Sequence, residues 1–301
     1  MPWILTAILS YFFFAVVSLG DKYILSGKPN PKIYVFYAGV LGALALALIP
    51  FVGFFVPDLS VVLLCLLVGA IYIFSLLGIF EGLEKYEASK IIPAIGGFSP
   101  FFVLILGYFF SGGKEIFSIF DFLAFLPLIA GSVLISLESG KRISFKGLGI
   151  SAISAFLLAL LFVLTKYVYL DVPFWTGFIW IRIGAFLTAL FFLFTKEVKL
   201  EIFHRKFSFS GKTGAIFIMI QIAGAFASVL QNLAINWAGM AYLPIVIALQ
   251  GVQYVFLFVL AILISSRFPK IFGEKFSKKS VLQKIVAIFL ICCGLVFLIL
   301  K

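Results

Sequence analysis

The sequence predicts an all-α integral membrane protein of ten transmembrane helices, built as two inverted five-helix repeats. Three observations predict it: the composition, the number of long apolar runs, and the recurrence of features between the two halves. Of 301 residues, 64% are hydrophobic and only 12% are charged, and the mean hydropathy is +1.24. A soluble domain has no interior large enough to hide that much apolar surface. Apolar runs of about 18 residues or more read as membrane-spanning helices. The chain holds ten, and the remainder leaves no room for a separate soluble domain.

In chain order the spans fall near 3–20, 33–56, 59–80, 91–110, 119–137, 148–165, 174–195, 213–235, 240–264 and 282–300. The first lacks a basic leading segment and a small-residue cleavage site, so it reads as a structural helix and not as a signal peptide. The third and fourth are separated only by the short, mixed stretch EGLEKYEASK.

The repeat divides the chain into 1–140 and 141–301. SYFFFAVVSLGDKYIL (10–25) aligns with SAFLLALLFVLTKYVYL (154–170) at a shift of 144, setting Ser10 over Ser154, Lys22 over Lys166 and Tyr23 over Tyr167. Gly131 in the fifth span answers Gly294 in the tenth, and Ala88 answers Ala241. Single matches between apolar helices arise by chance; their common order carries the weight. An odd number of spans per copy sends the second copy through the membrane upside down, the plan of many secondary transporters, in which two halves open alternately around a midplane site.

The net charge of +11 is a topology signal here, not a nucleic-acid footprint, because no basic domain exists to hold a nucleic acid. The odd-numbered loops carry 19 of the 23 Lys and Arg residues. This predicts cytoplasmic odd loops and external termini in a cytoplasmic (inner or plasma) membrane. Cys65, Cys292 and Cys293 fall inside spans, with neither disulfide nor metal-ligand spacing. His204, the only histidine, lies in the basic loop KEVKLEIFHRKFSFSGK.

Polar groups inside hydrocarbon must find partners, so they mark where the interior lies. In the ninth span Gln250, Gln253 and Tyr254 are spaced i, i+3 and i+4 and share a helix face. In the eighth, Gln221, Gly224, Ala225, Ser228, Gln231 and Asn232 follow the same period, and Gly224 and Ala225 leave room for a ligand or a neighbouring helix. Tyr72 and Ser75 in the third span are i and i+3. These residues form a candidate substrate-binding wall; interhelical glue is the competing account. Arg182 is the one charge well inside a span, and its planar fork suits a carboxylate or phosphate. Lys22 and its repeat partner Lys166 are candidate gates, with snorkelling at helix ends the simpler alternative.

TKYVYLDVPFWTGFIWIRIGAFLTAL (165–190) has a Lys closing one span, a Pro seven residues later, and an Arg in the next span followed by small residues. With the fourth-span stretch from Ala88 through Pro100 to SGGKE (111–115), it resembles the EamA-like branch of the drug/metabolite transporter superfamily. The first copy departs from the pattern, with Ala38 and Gly39 where the Arg would fall. The resemblance covers nearly the whole chain. It implies a metabolite carrier, often an exporter, and no particular substrate.

The expected function is therefore secondary transport of a small polar, amino-acid-like, anionic or zwitterionic solute by alternating access. A nucleotide-sugar or lipid-linked substrate translocator and a non-transporting membrane scaffold are the alternatives. The partners expected are the solute and membrane lipids, with no nucleic acid and with any coupling ion left open. No enzyme activity, cofactor or metal is expected, because no His or acidic residue lies mid-span to build a catalytic pair. The acidic residues lie near span ends or in loops, so coupling through a buried carboxylate has no evident carrier; Glu81, Glu84 and Glu87 at a membrane edge are the nearest candidates.

Overall fold

A computed structural model describes residues 2–26, 30–110, 145–203, 211–239, 242–267 and 278–299, with Gly112, Leu123, Leu126, Pro127, Ala130, Gly131 and Leu134. Regular structure among them is entirely helical. In lipid an unpaired backbone N–H or C=O has no water to turn to, and a helix satisfies nearly all of them within its own segment. In order the helices are α1 (Pro2–Ser26), α2 (Pro31–Gly42), α3 (Leu59–Lys85), α4 (Ala88–Phe110), α5 (Phe145–Asp171), α6 (Phe174–Phe191), α7 (Lys196–Phe203), α8 (Gly211–Trp237), α9 (Leu243–Ala248), α10 (Gln250–Arg267) and α11 (Lys278–Ile299). Tighter 3₁₀ turns continue α2 through Ala43–Phe51 and α6 through Phe192–Phe194.

Seven helical segments among the described residues are long and apolar enough to cross a membrane; α10 and α11 contribute shorter apolar stretches. These match nine of the ten expected spans in place. The expected fifth span, 119–137, lies largely outside the described residues, as does His204.

Three boundaries differ in ways that matter. First, α1 runs to Ser26 instead of ending near 20, which carries Asp21 and Lys22 onto the helix. Second, the expected ninth span is interrupted at Leu249, between α9 and α10, so Gln250 opens a new helix. Third, part of the basic loop folds as α7, which buries Val198 and Glu201. Local chemistry explains the start of α2, where the Asn30 side chain accepts from Lys32 N at 2.9 Å and Pro31 occupies the first turn.

Helix pairs close together where side chains vanish. At the α3–α6 crossing, a Cβ on Gly69 would lie 2.6 Å from the carbonyl carbon of Gly184, and one on Gly184 would lie 2.6 Å from Leu66 Cα. The two backbones therefore touch, as small-residue seams in membranes permit. α1 packs along α8, where Ser10 Oγ donates to Ala227 O at 2.9 Å. Gly131 sits against Ala287 and Ile291 of α11.

Two ion pairs tie segments distant in sequence. Lys32 of α2 meets Glu197 of α7 at 2.8 Å, and Lys284 of α11 meets Glu87 at 3.4 Å. The hydrogen bond from Lys32 holds the Glu197 carboxyl below its usual range.

Candidate functional site

Six helices, α1, α3, α4, α5, α6 and α8, and the first turns of α10 surround a central cavity of about 150 Å³. A second cavity of about 510 Å³ shares the walls Asp21, Tyr72 and Arg182 and extends between α2 and α8. The larger one falls within the roughly 300–1,000 Å³ usual for small-molecule sites.

Arg182 is 8% exposed and lines both cavities. Its guanidinium lies 4.7 Å from the centre of the Tyr72 ring and 4.9 Å from that of Phe178, and its Nη2 donates to Ser228 Oγ. The aromatic faces supply part of the electron density that a carboxylate would otherwise give. No acidic side chain pairs with it among the described residues.

Asp21 is the residue that sequence reasoning missed. It is 5% exposed, lines both cavities, and accepts a hydrogen bond from the Tyr34 hydroxyl through Oδ1. Its other oxygen has no donor, and the carboxylate no cationic partner, among the described residues. Asp21 lies one residue past the expected first span, 3–20. The signal was present nonetheless: Tyr11, Phe14, Ser18 and Asp21 recur at helical spacing, and all four line the central cavity.

The other candidates divide. Gln250 and Gln253 line the central cavity, 8% and 4% exposed. Gln253 Nε2 reaches Ser18 Oγ at 3.4 Å, and Gln250 Oε1 is buried with no hydrogen-bond partner among the described residues. Ser228 lines the central cavity, and Gln221 lines the larger one. Gln231 and Asn232 join the wall, the latter accepting from the Tyr169 hydroxyl at 2.8 Å.

Tyr254 does not line either cavity. It is 1% exposed and packs on Gly96 of α4, where any side chain would collide with its ring. Ser75 is also absent from the walls: its hydroxyl turns back to Ile71 O of its own helix at 2.7 Å.

Lys22 and Lys166 stand outside both cavity walls and do the same job at two places. Lys22 Nζ donates to Leu83 O at 2.7 Å and Tyr86 O at 2.8 Å, where α3 ends. Lys166 Nζ donates to Ile235 O and Asn236 O at 3.1 Å and to Ala238 O, where α8 ends. Carbonyls at a helix C-terminus lack intrahelical partners and carry the negative end of the helix dipole, so an ammonium satisfies both. Lys166→Met should lower thermal stability by about 1.5–3 kcal/mol, the range for hydrogen bonds to charged groups. An unchanged melting temperature in detergent would deny it a capping role.

No family model matches the chain, and no curated protein matches it significantly. A solved structure shares the fold. That protein's crystal structure superposes with a TM-score of 0.60 at 14% identity, over 98% of this chain and 94% of the other. At that identity the likeness extends to the fold alone. Among the described residues no three His, Cys, Asp or Glu side chains gather as metal ligands would.

Proposed function

We propose that this protein is a secondary carrier that moves a small zwitterionic or anionic solute across the cytoplasmic membrane by alternating access, in the manner of the EamA-like branch of the drug/metabolite transporters. One observation carries the reading. Arg182 and Asp21 are both buried in the wall of a shared cavity, and neither has a charged partner among the described residues. An unpaired charge inside a membrane protein is costly and marks a substrate or ion pathway. A solute carrying both signs would answer both residues, its carboxylate on the Arg182 fork and its ammonium at Asp21.

The two lysine caps support a ten-span inverted repeat. Lys22 and Lys166 differ by 144 positions, and their acceptors Leu83/Ile235 and Tyr86/Ala238 both differ by 152. The last helical turns of the third spans in the two halves are thus held by corresponding cations. Halves of this kind suit rocking about the site between them.

Counterflow in proteoliposomes of the purified protein tests the reading, because a scaffold moves nothing unaided. Asp21→Asn should lower flux of a zwitterion by about tenfold or more while costing a purely anionic solute less, since only the zwitterion loses a charge-assisted contact. Equal losses for both solutes would remove Asp21 from recognition. The lipid-linked alternative is favoured by one feature, the lateral reach of the larger cavity.

A further inference from the structure

The larger cavity does not end inside the bundle. Three of its lining residues, Leu44, Ile218 and Ile222, are 69%, 45% and 66% exposed. It is a slit that opens sideways between α2 and α8. At about 1.5 Å per residue, Leu44 and Ile222 lie roughly 20 and 17 Å along their segments. That is inside the hydrocarbon layer, which is about 30 Å thick.

The slit is a built feature. Near their starts α2 and α8 are joined by Tyr34 and Tyr37, whose rings meet Phe217 at 5.0 and 6.3 Å. Beyond that contact Gly42, Ala45, Gly224 and Ala225 line the gap. A Cβ on Gly224 would meet nothing closer than Val17 at 3.8 Å, and one on Gly42 nothing closer than Arg182 Cδ at 3.9 Å. The α3–α6 seam, by contrast, is shut backbone to backbone at Gly69. At the 152-residue shift of the lysine caps, Gly69 corresponds to Gln221, whose side chain stands in the slit wall. Where Gly69 admits α6 to α3, α8 carries the side chain of Gln221.

We propose that the slit holds the apolar chain of a single-chain zwitterionic amphiphile, whose head lies between Arg182 and Asp21 and whose tail passes between α2 and α8 into the bilayer. This rests on the carrier reading above and names its substrate class. Charge complementarity fixes the head: both charged residues line the slit, and both lack a charged partner among the described residues. The tail follows from the walls, which are aliphatic from Ala38 to Leu48 on α2 and broken on α8 chiefly by Gln221. A soluble solute needs no opening at this depth. A chain that would otherwise be forced to fold back inside the cavity has an exit here.

The test is a chain-length series of 2-amino acids, from 2-aminobutyrate to 2-aminododecanoate, titrated calorimetrically against the full-length protein in phosphatidylcholine nanodiscs, with partition into empty discs subtracted. Affinity should rise about fourfold per added methylene with no length limit, and decanoate and decylamine should each bind more weakly than 2-aminodecanoate. Gly224→Phe, and Ala45→Phe from the opposite wall, should flatten the series. A cutoff at four or five side-chain carbons in the unaltered protein, or parallel series in it and both variants, would overturn the slit while leaving the carrier reading in place. Binding of no member at any length would overturn the slit and, with it, the zwitterionic form of the carrier reading.

Discussion

Arg182→Gln should reduce transport in proteoliposomes by about 30-fold or more. Truncating one member of a buried charge pair costs about 2–5 kcal/mol. In the carrier reading proposed above the partner is the solute's own anion, so the loss should fall on transport and not on folding. Arg182 donates only to Ser228 and rests on two aromatic rings, with no carboxylate of the chain to neutralise it among the described residues. Removing it also relieves a desolvated charge, so the melting temperature should hold or rise. Arg182→Lys should fall between the two, because an ammonium keeps the charge but loses the bidentate fork and stacks poorly on Tyr72 and Phe178. Equal flux in all three proteins, each monodisperse on size exclusion, would assign Arg182 to packing.

The second large effect is on stability. Gly69→Ala should destabilise the fold by about 3 kcal/mol, at the upper end for an overpacked core. The new methyl would meet the backbone of Ile181, Gly184 and Ala185, none of which is the movable end of a side chain. Gly184→Ala should behave alike, since its methyl would lie 2.6 Å from Leu66 Cα and 2.7 Å from Leu66 O. The control is Gly224→Ala, whose methyl meets only Val17 at 3.8–3.9 Å. There the higher helix propensity of Ala should add up to about 1 kcal/mol. Thermal unfolding followed by fluorescence separates the three, and equal midpoints for Gly69→Ala and Gly224→Ala would show that the α3–α6 backbones do not touch.

The spans themselves were legible because each depends on its own residues. Hydropathy placed helices at nine of the ten expected positions, seven of them long and apolar enough to cross a membrane, and the helical period of Gln221, Ser228, Gln231 and Asn232 marked the face of α8 that the structure turns toward the cavities. Arg182 stood out as a lone charge inside an apolar run, and it lies at the junction of both cavities. The same logic failed at ends and breaks. Asp21 falls just past the expected first span, 3–20, whereas Lys22 finds its partners at the end of α3, 61 and 64 residues away, on a helix that continues to Ser26.

Local sequence, through the cost of leaving backbone groups unpaired in lipid, determined that this chain is a set of apolar helices and which of their residues are polar. Facing was decided elsewhere. Gln250, Gln253 and Tyr254 share one helical stripe, yet the two amides reach the cavity and the phenol packs on Gly96 of α4. Ser75 satisfied itself on its own helix. Two glycines far apart in sequence, Gly69 and Gly184, closed the seam between α3 and α6. A helix carries its period in its own residues, but the direction of each face depends on the neighbour it meets, and those neighbours lie up to 235 positions away.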